Sequence, residues 1–306
     1  MSPIHNFNGT LVFKFYNMQT KIALLIVFNH RFDRNIPRLN ELYKNKFSNV
    51  YHVVPFYNGT DANVIPVYEN SYNFQGYIAQ AYSHLKDKGF THYFVVADDM
   101  IINPAINENS FWEVTGIPQD ACYIDIYRDL SKEDHLWFQE RALDYDPFAC
   151  AGVEVKDILP NAEDAAKLLA KYGISFAPFN RNILLKTPSL KKKIKNLFCR
   201  NMPLYPLVGG YSDILLITEE VMPKFCQISG ALAATRLFVE LAIPTALAFC
   251  SAKIVFNRDI KLREGALWTD EDKKVLDKYE NSLTKLLDQY PNDMFYYHPI
   301  KLSKWK

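Results

Sequence analysis

Two adjacent carboxylates, Asp98 and Asp99, follow the apolar run Tyr93-Phe94-Val95-Val96-Ala97. Acids this close repel each other unless a cation or a shared proton compensates. The apolar run reads as a buried strand, and ligands in open α/β sheets bind beyond the carboxyl ends of strands. A hard divalent ion, Mn²⁺ or Mg²⁺, bridging to a diphosphate would satisfy such a pair. The plainer alternative is a loop start, where Asp-Asp is common. A second candidate is Gly209-Gly210-Tyr211-Ser212-Asp213. Paired glycines let a backbone approach a ligand closely. Asp213, three residues on, can hydrogen-bond hydroxyl groups or act as a general base, and a simple glycine turn is the alternative. Glu240 sits in Leu237-Phe238-Val239-Glu240-Leu241, where a carboxylate without a partner is unfavourable. It reads either as a functional acid or as the ion-pair partner of Arg236, four residues before it.

The elements that must position these residues follow from hydrophobic periodicity. Residues 21–28 form a continuous apolar, β-branched run, the pattern of a strand buried on both faces. Apolar spacing predicts a helix over 36–46 and a second strand over 50–56, a βαβ unit whose two strands run parallel. A helix is expected over 72–88, stopped by Gly89, and a third buried strand over 91–96. The first hundred residues are therefore Rossmann-like. Beyond them a strand is expected at 121–126 and helices at 132–143 and 162–172, the latter capped by Asn161. A loop is expected over 203–210 and a strand over 211–217. One long buried helix is expected over 222–243, closed by Pro244, and another over 270–289. Lys191, Lys192, Lys193 and Lys195 read as a solvated helix face or as a phosphate- or membrane-surface patch.

The chain has 306 residues, 49% hydrophobic and 23% charged. That composition excludes general disorder. The net charge of +1 gives no signature of a nucleic-acid binder. Five scattered cysteines without a Cys-x-x-Cys spacing argue against a disulfide framework or structural zinc and for a reducing compartment. Residues 22–28 fall far short of the ~20 apolar residues a membrane span requires. No basic segment leads into an apolar one over residues 1–20, so a cytoplasmic protein is expected, peripheral at a membrane if the lysine run serves there. Residues 1–17 read as an extension with an edge strand at 11–15, and residues 18–306 as one domain.

The stretch ending in Ala97-Asp98-Asp99 resembles the DxD motif of the GT-A glycosyltransferases, with Ala97 where the strict motif has its first Asp. The resemblance implies an α/β GT-A fold with a Rossmann-like, mostly parallel central sheet flanked by helices. It divides the chain into a nucleotide-sugar half, about 18–130, and an acceptor half with a closing tail, about 131–306. It implies Asp99 as a ligand of Mn²⁺ or Mg²⁺ and Asp98 as a partner of ribose or sugar hydroxyls. The ending Tyr296-Tyr297-His298-Pro299-Ile300-Lys301-Leu302-Ser303-Lys304-Trp305 resembles that of the glycogenin-type enzymes, with the Trp one position early and the intervening Gly absent. By that resemblance His298 is the second metal ligand, and Lys301 and Lys304 meet the departing phosphates. Gly209, Gly210 and Asp213 resemble the loop that faces the donor sugar in several inverting GT-A families. Asn29 and Arg31, after the first strand, stand where such enzymes hold base and ribose. Gln75 and Gly76 give an uncrowded backbone beside the site. The function implied is transfer of a sugar from a nucleoside-diphosphate sugar to a glycan, lipid or protein acceptor, with Asp213 and Glu240 as rival catalytic acids. The competing readings are a sugar-phosphate nucleotidyltransferase, disfavoured because Asn29-His30-Arg31-Phe32-Asp33 lacks Gly, and a non-catalytic binding domain on the same fold.

Overall fold

A computed structural model describes residues 20–132, 136–150, 152, 154–198 and 201–306. The expected extension, its strand at 11–15 and Cys199 lie outside the described residues. Cys122, Cys226 and Cys250 are free thiols. Among the described residues no helix is long and apolar enough to cross a membrane.

The chain folds around a seven-stranded, mostly parallel sheet flanked by helices. Its strands are β1 (Ile22–Val27), β2 (Val50–Pro55), β3 (Val64–Val67), β4 (His92–Ala97), β6 (Cys122–Ile124), β9 (Ile214–Thr218) and β10 (Ile254–Val255). Their order is β10-β6-β9-β4-β1-β2-β3, and only β9 runs antiparallel to its neighbours. Every residue of β1 and β4 is buried, as the apolar runs 22–27 and 93–97 require. Ala23, Leu25 and Val27 pack on one face with Tyr77, Ile78, Phe225, Ile228 and Leu232, from the helices Gln75–Ser83 and Met222–Ala234. Ile22, Leu24 and Ile26 pack on the other with Ile36 and Leu39 of the helix Ile36–Tyr43 and with Phe295, Tyr296, Tyr297 and Trp305 of the tail.

Two short sheets complete the fold. β5 (Ile101–Ile102) pairs antiparallel with β11 (Tyr296–Tyr297), and β7 (Tyr127–Arg128) with β8 (Gly209–Gly210). β5 starts two residues after Asp99, so the tail is built onto the loop that carries the acid pair.

The parallel β1–β2 pair and the Asn161 cap, whose side chain accepts from the Asp164 amide at 3.0 Å, are as the sequence predicts. The long helix expected over 222–243 is instead two helices, Met222–Ala234 and Val239–Cys250. Arg236 takes a left-handed φ of 60°. The amides of Arg236 and Leu237 bond back to the carbonyls of Ala233 and Leu232, a Schellman closure that ends the first helix. Pro244 lies inside the second helix rather than at its end. The helix expected over 270–289 is broken into Asp270–Lys273, a 3-10 turn Lys274–Tyr279 and Leu283–Asp288, with left-handed Glu280 and Asn281 between the last two. The helix expected over 132–143 spans Leu136–Ala142 among the described residues, and β3 carries too short an apolar run to stand out.

Gly265 holds the tail at its closest approach. A Cβ there would lie 1.7 Å from the Tyr296 carbonyl oxygen, and its own carbonyl accepts from the His298 amide at 3.0 Å. Gly230, inside the helix Met222–Ala234, would meet nothing within 4 Å. Gly265→Ala is therefore expected to destabilise the fold by about 1–3 kcal/mol or more, and Gly230→Ala to stabilise it by about 0.5–1 kcal/mol. Denaturant unfolding of the two variants checks the opposite signs.

Candidate active site

One edge of the central sheet gathers the acids. Asp98 follows the carboxyl end of β4, Asp125 that of β6, and Asn29 stands just beyond β1. β9 runs the other way, so its first residues lie at the same edge, and Asp213 is placed there. The Ala97 amide donates to the Asp213 carbonyl at 2.9 Å, and the Asp98 amide to Val27 at 2.9 Å. The Asn29 amide reaches Asp98 Oδ1 at 3.4 Å.

The tail adds an imidazole. Tyr297 pairs with Ile101, and the antiparallel register carries His298 past Met100 and brings the Ile300 amide to the Asp99 carbonyl at 2.6 Å. His298 Nε2 lies 2.9 Å from Asp99 Oδ1. The alignment is not that of a hydrogen bond, and Asp99 Oδ1 is otherwise buried without a partner. On the far side of the ring Nδ1 and the Tyr211 hydroxyl are 2.8 Å apart. If Nδ1–H donates to that hydroxyl, the Nε2 lone pair is left facing Asp99. Tyr211 and Trp268 pack edge-on around the imidazole.

The electrostatics are those of crowded negative charge. Burial, then the Asp99 charge, pushes Asp98 up to about 7. Burial pushes Glu240 up to about 8, with Asp213 adding to it and Arg128, Arg141 and His298 opposing. Asp213 is raised by burial, with the His298 charge opposing and that of Asp99 adding. Burial alone would lower His298, but its contact with Asp99 and the charges of Asp213, Asp99 and Asp98 outweigh it and hold it above its ordinary value. Among the described residues no three His, Cys, Asp or Glu side chains form a ready metal cluster. Asp99 and His298 offer two facing donors, one an orphaned buried oxygen, which suits an ion that takes its remaining ligands from elsewhere.

A cleft of about 250 Å³ opens beside the pair, lined by Asn29, His30, Phe32, Asn35, Asp98, Asp99, Lys301, Leu302 and Ser303. Asn29, Asp98, Asp99 and Lys301 thus converge on it. Arg31 does not line it, because its guanidinium bonds Asp33 and Asn58 at the surface. Lys304 lines a neighbouring cavity with Asp270, Lys273, Asp277 and Glu280. Gln75 is buried and donates to the Leu237 carbonyl at 2.9 Å, so it braces the break between the two helices. Gly76 lets that helix approach Ala233, 3.1 Å from where a Cβ would sit. Gly210 is likewise explained by packing, since a Cβ would lie 2.6 Å from the Ile126 carbonyl oxygen. Glu240 and Arg236 no longer share a helix, and the charges that act on Glu240 come from other residues. A scan against protein-family models and a search of curated proteins both give no match to this chain.

Asp125 escaped the sequence reading, although it follows an apolar strand as Asp98 does. It accepts from the Tyr123 and Tyr296 hydroxyls at 3.3 and 3.2 Å. Burial, then the hydrogen bond and charge of Glu264, raise it from 3.8 to about 7. Between those values the folded chain keeps a proton that the unfolded chain has lost. Stability therefore falls as pH rises through that window and stays lowered above it. Asp125→Asn is expected to flatten the fall and to raise Tm at pH 8, with little change at pH 4. Melting curves across that range check it, and an unchanged profile would assign the slope to other groups.

Proposed function

We propose that the chain is a glycosyltransferase of the GT-A type, using a nucleoside-diphosphate sugar and a divalent metal ion, Mn²⁺ or Mg²⁺. The observation that carries the reading is the meeting of Asp99 and His298, from widely separated parts of the chain, at the ligand-binding edge of a mostly parallel sheet. Asp99 Oδ1 and His298 Nε2 would hold the ion, which when bound supplies positive charge for the departing diphosphate. The acid cluster supports this, because burial and neighbouring carboxylates raise Asp98, Asp213 and Glu240 above their ordinary values, and a cation would relieve that crowding.

The cleft is smaller than most ligand sites, about 300–1,000 Å³, so it suits the nucleoside end alone. Asn29 and Asp98 lie on its wall to hold hydroxyls, and Lys301 on its rim to meet phosphate charge. Transfer breaks the bond between the anomeric carbon and a diphosphate oxygen and forms one to an acceptor hydroxyl, whose proton must pass to a base. Glu240 keeps its own proton up to about 8, so near neutrality it is better suited to donate a hydrogen bond than to accept that proton. Asp213 shares the surroundings of Asp99 and His298, and we place it toward the sugar.

The reading predicts that Mn²⁺ and a nucleoside diphosphate together raise Tm by more than the sum of their separate effects. At a hundredfold excess over Kd the stabilisation is ~2.7 kcal/mol. Asp99→Asn and His298→Ala are each expected to abolish the joint effect, and the double variant to lose no more than either single one. A calorimetric screen of nucleoside diphosphates with Mn²⁺ and Mg²⁺ that finds no joint shift would remove the donor site.

A further inference from the structure

The helix Leu190–Phe198 turns its apolar side to water. Each residue advances 100° around a helix, so Leu190, Ile194, Leu197 and Phe198 share one face. They are 73%, 54%, 50% and 81% exposed. The opposite face is polar and packs on the body. Asn196 is buried there and donates to the Leu184 carbonyl at 2.8 Å. Lys192 pairs with Glu140 at 2.7 Å, and Lys195 with Asp144. A helix of a water-soluble fold ordinarily does the reverse.

Lys191 and Lys193 border the apolar face, one on each side, both exposed, and among the described residues no acid pairs with either. Charge then discriminates between the partners that could cover the face. A second copy docked through a two-fold axis would set the same lysine borders against each other. An anionic lipid surface meets both features together, apolar side chains entering the boundary between headgroups and acyl chains while the flanking lysines reach the phosphates.

We propose that this helix docks the protein on an anionic lipid bilayer through Leu190, Ile194, Leu197 and Phe198, with Lys191 and Lys193 on the lipid phosphates. The proposal stands apart from the transferase reading. A single nine-residue helix gives reversible, salt-sensitive association rather than permanent anchoring.

Co-sedimentation of the full chain with phosphatidylcholine vesicles, with and without phosphatidylglycerol, tests it. Binding is expected only to vesicles containing phosphatidylglycerol and should weaken as salt is raised. Ile194→Asp should abolish it. Lys191→Gln with Lys193→Gln should weaken it roughly thirtyfold, as loss of two interfacial lysines implies. All these side chains are exposed, so Tm should hold, which separates lost docking from lost folding. Phe198→Trp should show a blue-shifted emission with the anionic vesicles alone. The proposal is overturned if the wild-type chain binds no vesicle, or if Ile194→Asp binds as well as wild type. It is equally overturned if the chain is dimeric without lipid affinity and Ile194→Asp makes it monomeric, which would make the face a contact between copies.

Discussion

The antiparallel register between β5 and β11 is the constraint on which the candidate site depends. Tyr296 opposes Ile102 and Tyr297 opposes Ile101, and that pairing fixes His298 beside Asp99. Slipping the register by one residue would turn His298 to the other face of the strand. The register is held from both sides. Phe295, Tyr296 and Tyr297 are fully buried, with Phe295 stacked on Phe94 of β4. The Asn103 side chain donates to the Met294 carbonyl at 2.8 Å, and the Tyr290 hydroxyl donates to Ile101 at 2.8 Å. The last residue is tied as well, its amide donating to the Asn281 carbonyl and its carbonyl accepting from Leu283. Hydrophobic burial thus supplies the energy that brings charged and polar groups together in a place they would not choose by themselves.

That conflict between packing and charge runs through the whole edge. Asp98 is 4% exposed and Asp125 4% exposed, and both are raised to about 7. Buried carboxyls raised in this way occur at functional sites and in structural networks alike. The two are relieved differently. Asp125 accepts from two tyrosine hydroxyls, which favour its charged form, while its contact with Glu264 favours the proton. Asp98 has backbone amides and the His298 charge, with Asp99 working against it. Asp125 is thus held by groups away from the cleft, whereas at the Asp98–Asp99 pair the compensating charge is that of His298.

Much of this was legible in the sequence because it rests on local pattern. The apolar runs 22–27 and 93–97 announce strands buried on both faces, and the acids that follow β4 fall at the carboxyl edge of the sheet for that reason. The parallel pairing of β1 with β2 follows from the crossover between them. What the sequence hid are features that depend on long-range pairing. β3 and β10 are too short to stand out, and nothing local tells β9 to run antiparallel. The break at Arg236 carries no glycine or proline to signal it, since an arginine takes the left-handed position itself. The pairing of Asp125 with Tyr296 joins strands on two different sheets, and only the folded tail brings them together. Gly209 and Gly210 read as a ligand loop because glycine permits close approach, and at Gly210 the approach is to the chain's own Ile126 carbonyl, at Gly209 to the Leu130 side chain.

The antiparallel strand and the broken helix together explain how the second half of the chain reaches a site laid out by the first. In a wholly parallel sheet only residues leaving strands would occupy the ligand edge. Reversing β9 lets Asp213 enter at that edge ahead of the strand, directly across from Ala97. The next connection must then return the chain from the far end of the sheet, and the helix Met222–Ala234 does so. Had it continued straight, Glu240 would have been carried beyond the sheet edge. The left-handed turn at Arg236 instead starts a new helix, and Glu240 enters its first turn. The positive end of the helix dipole favours a carboxylate there, yet burial and Asp213 outweigh it and leave the acid holding its proton. The Ser212 hydroxyl donates to the Val239 carbonyl at 3.3 Å and joins the two pieces, so Asp213 and Glu240 are placed by one short connection, and the Asp213 charge adds to what raises Glu240.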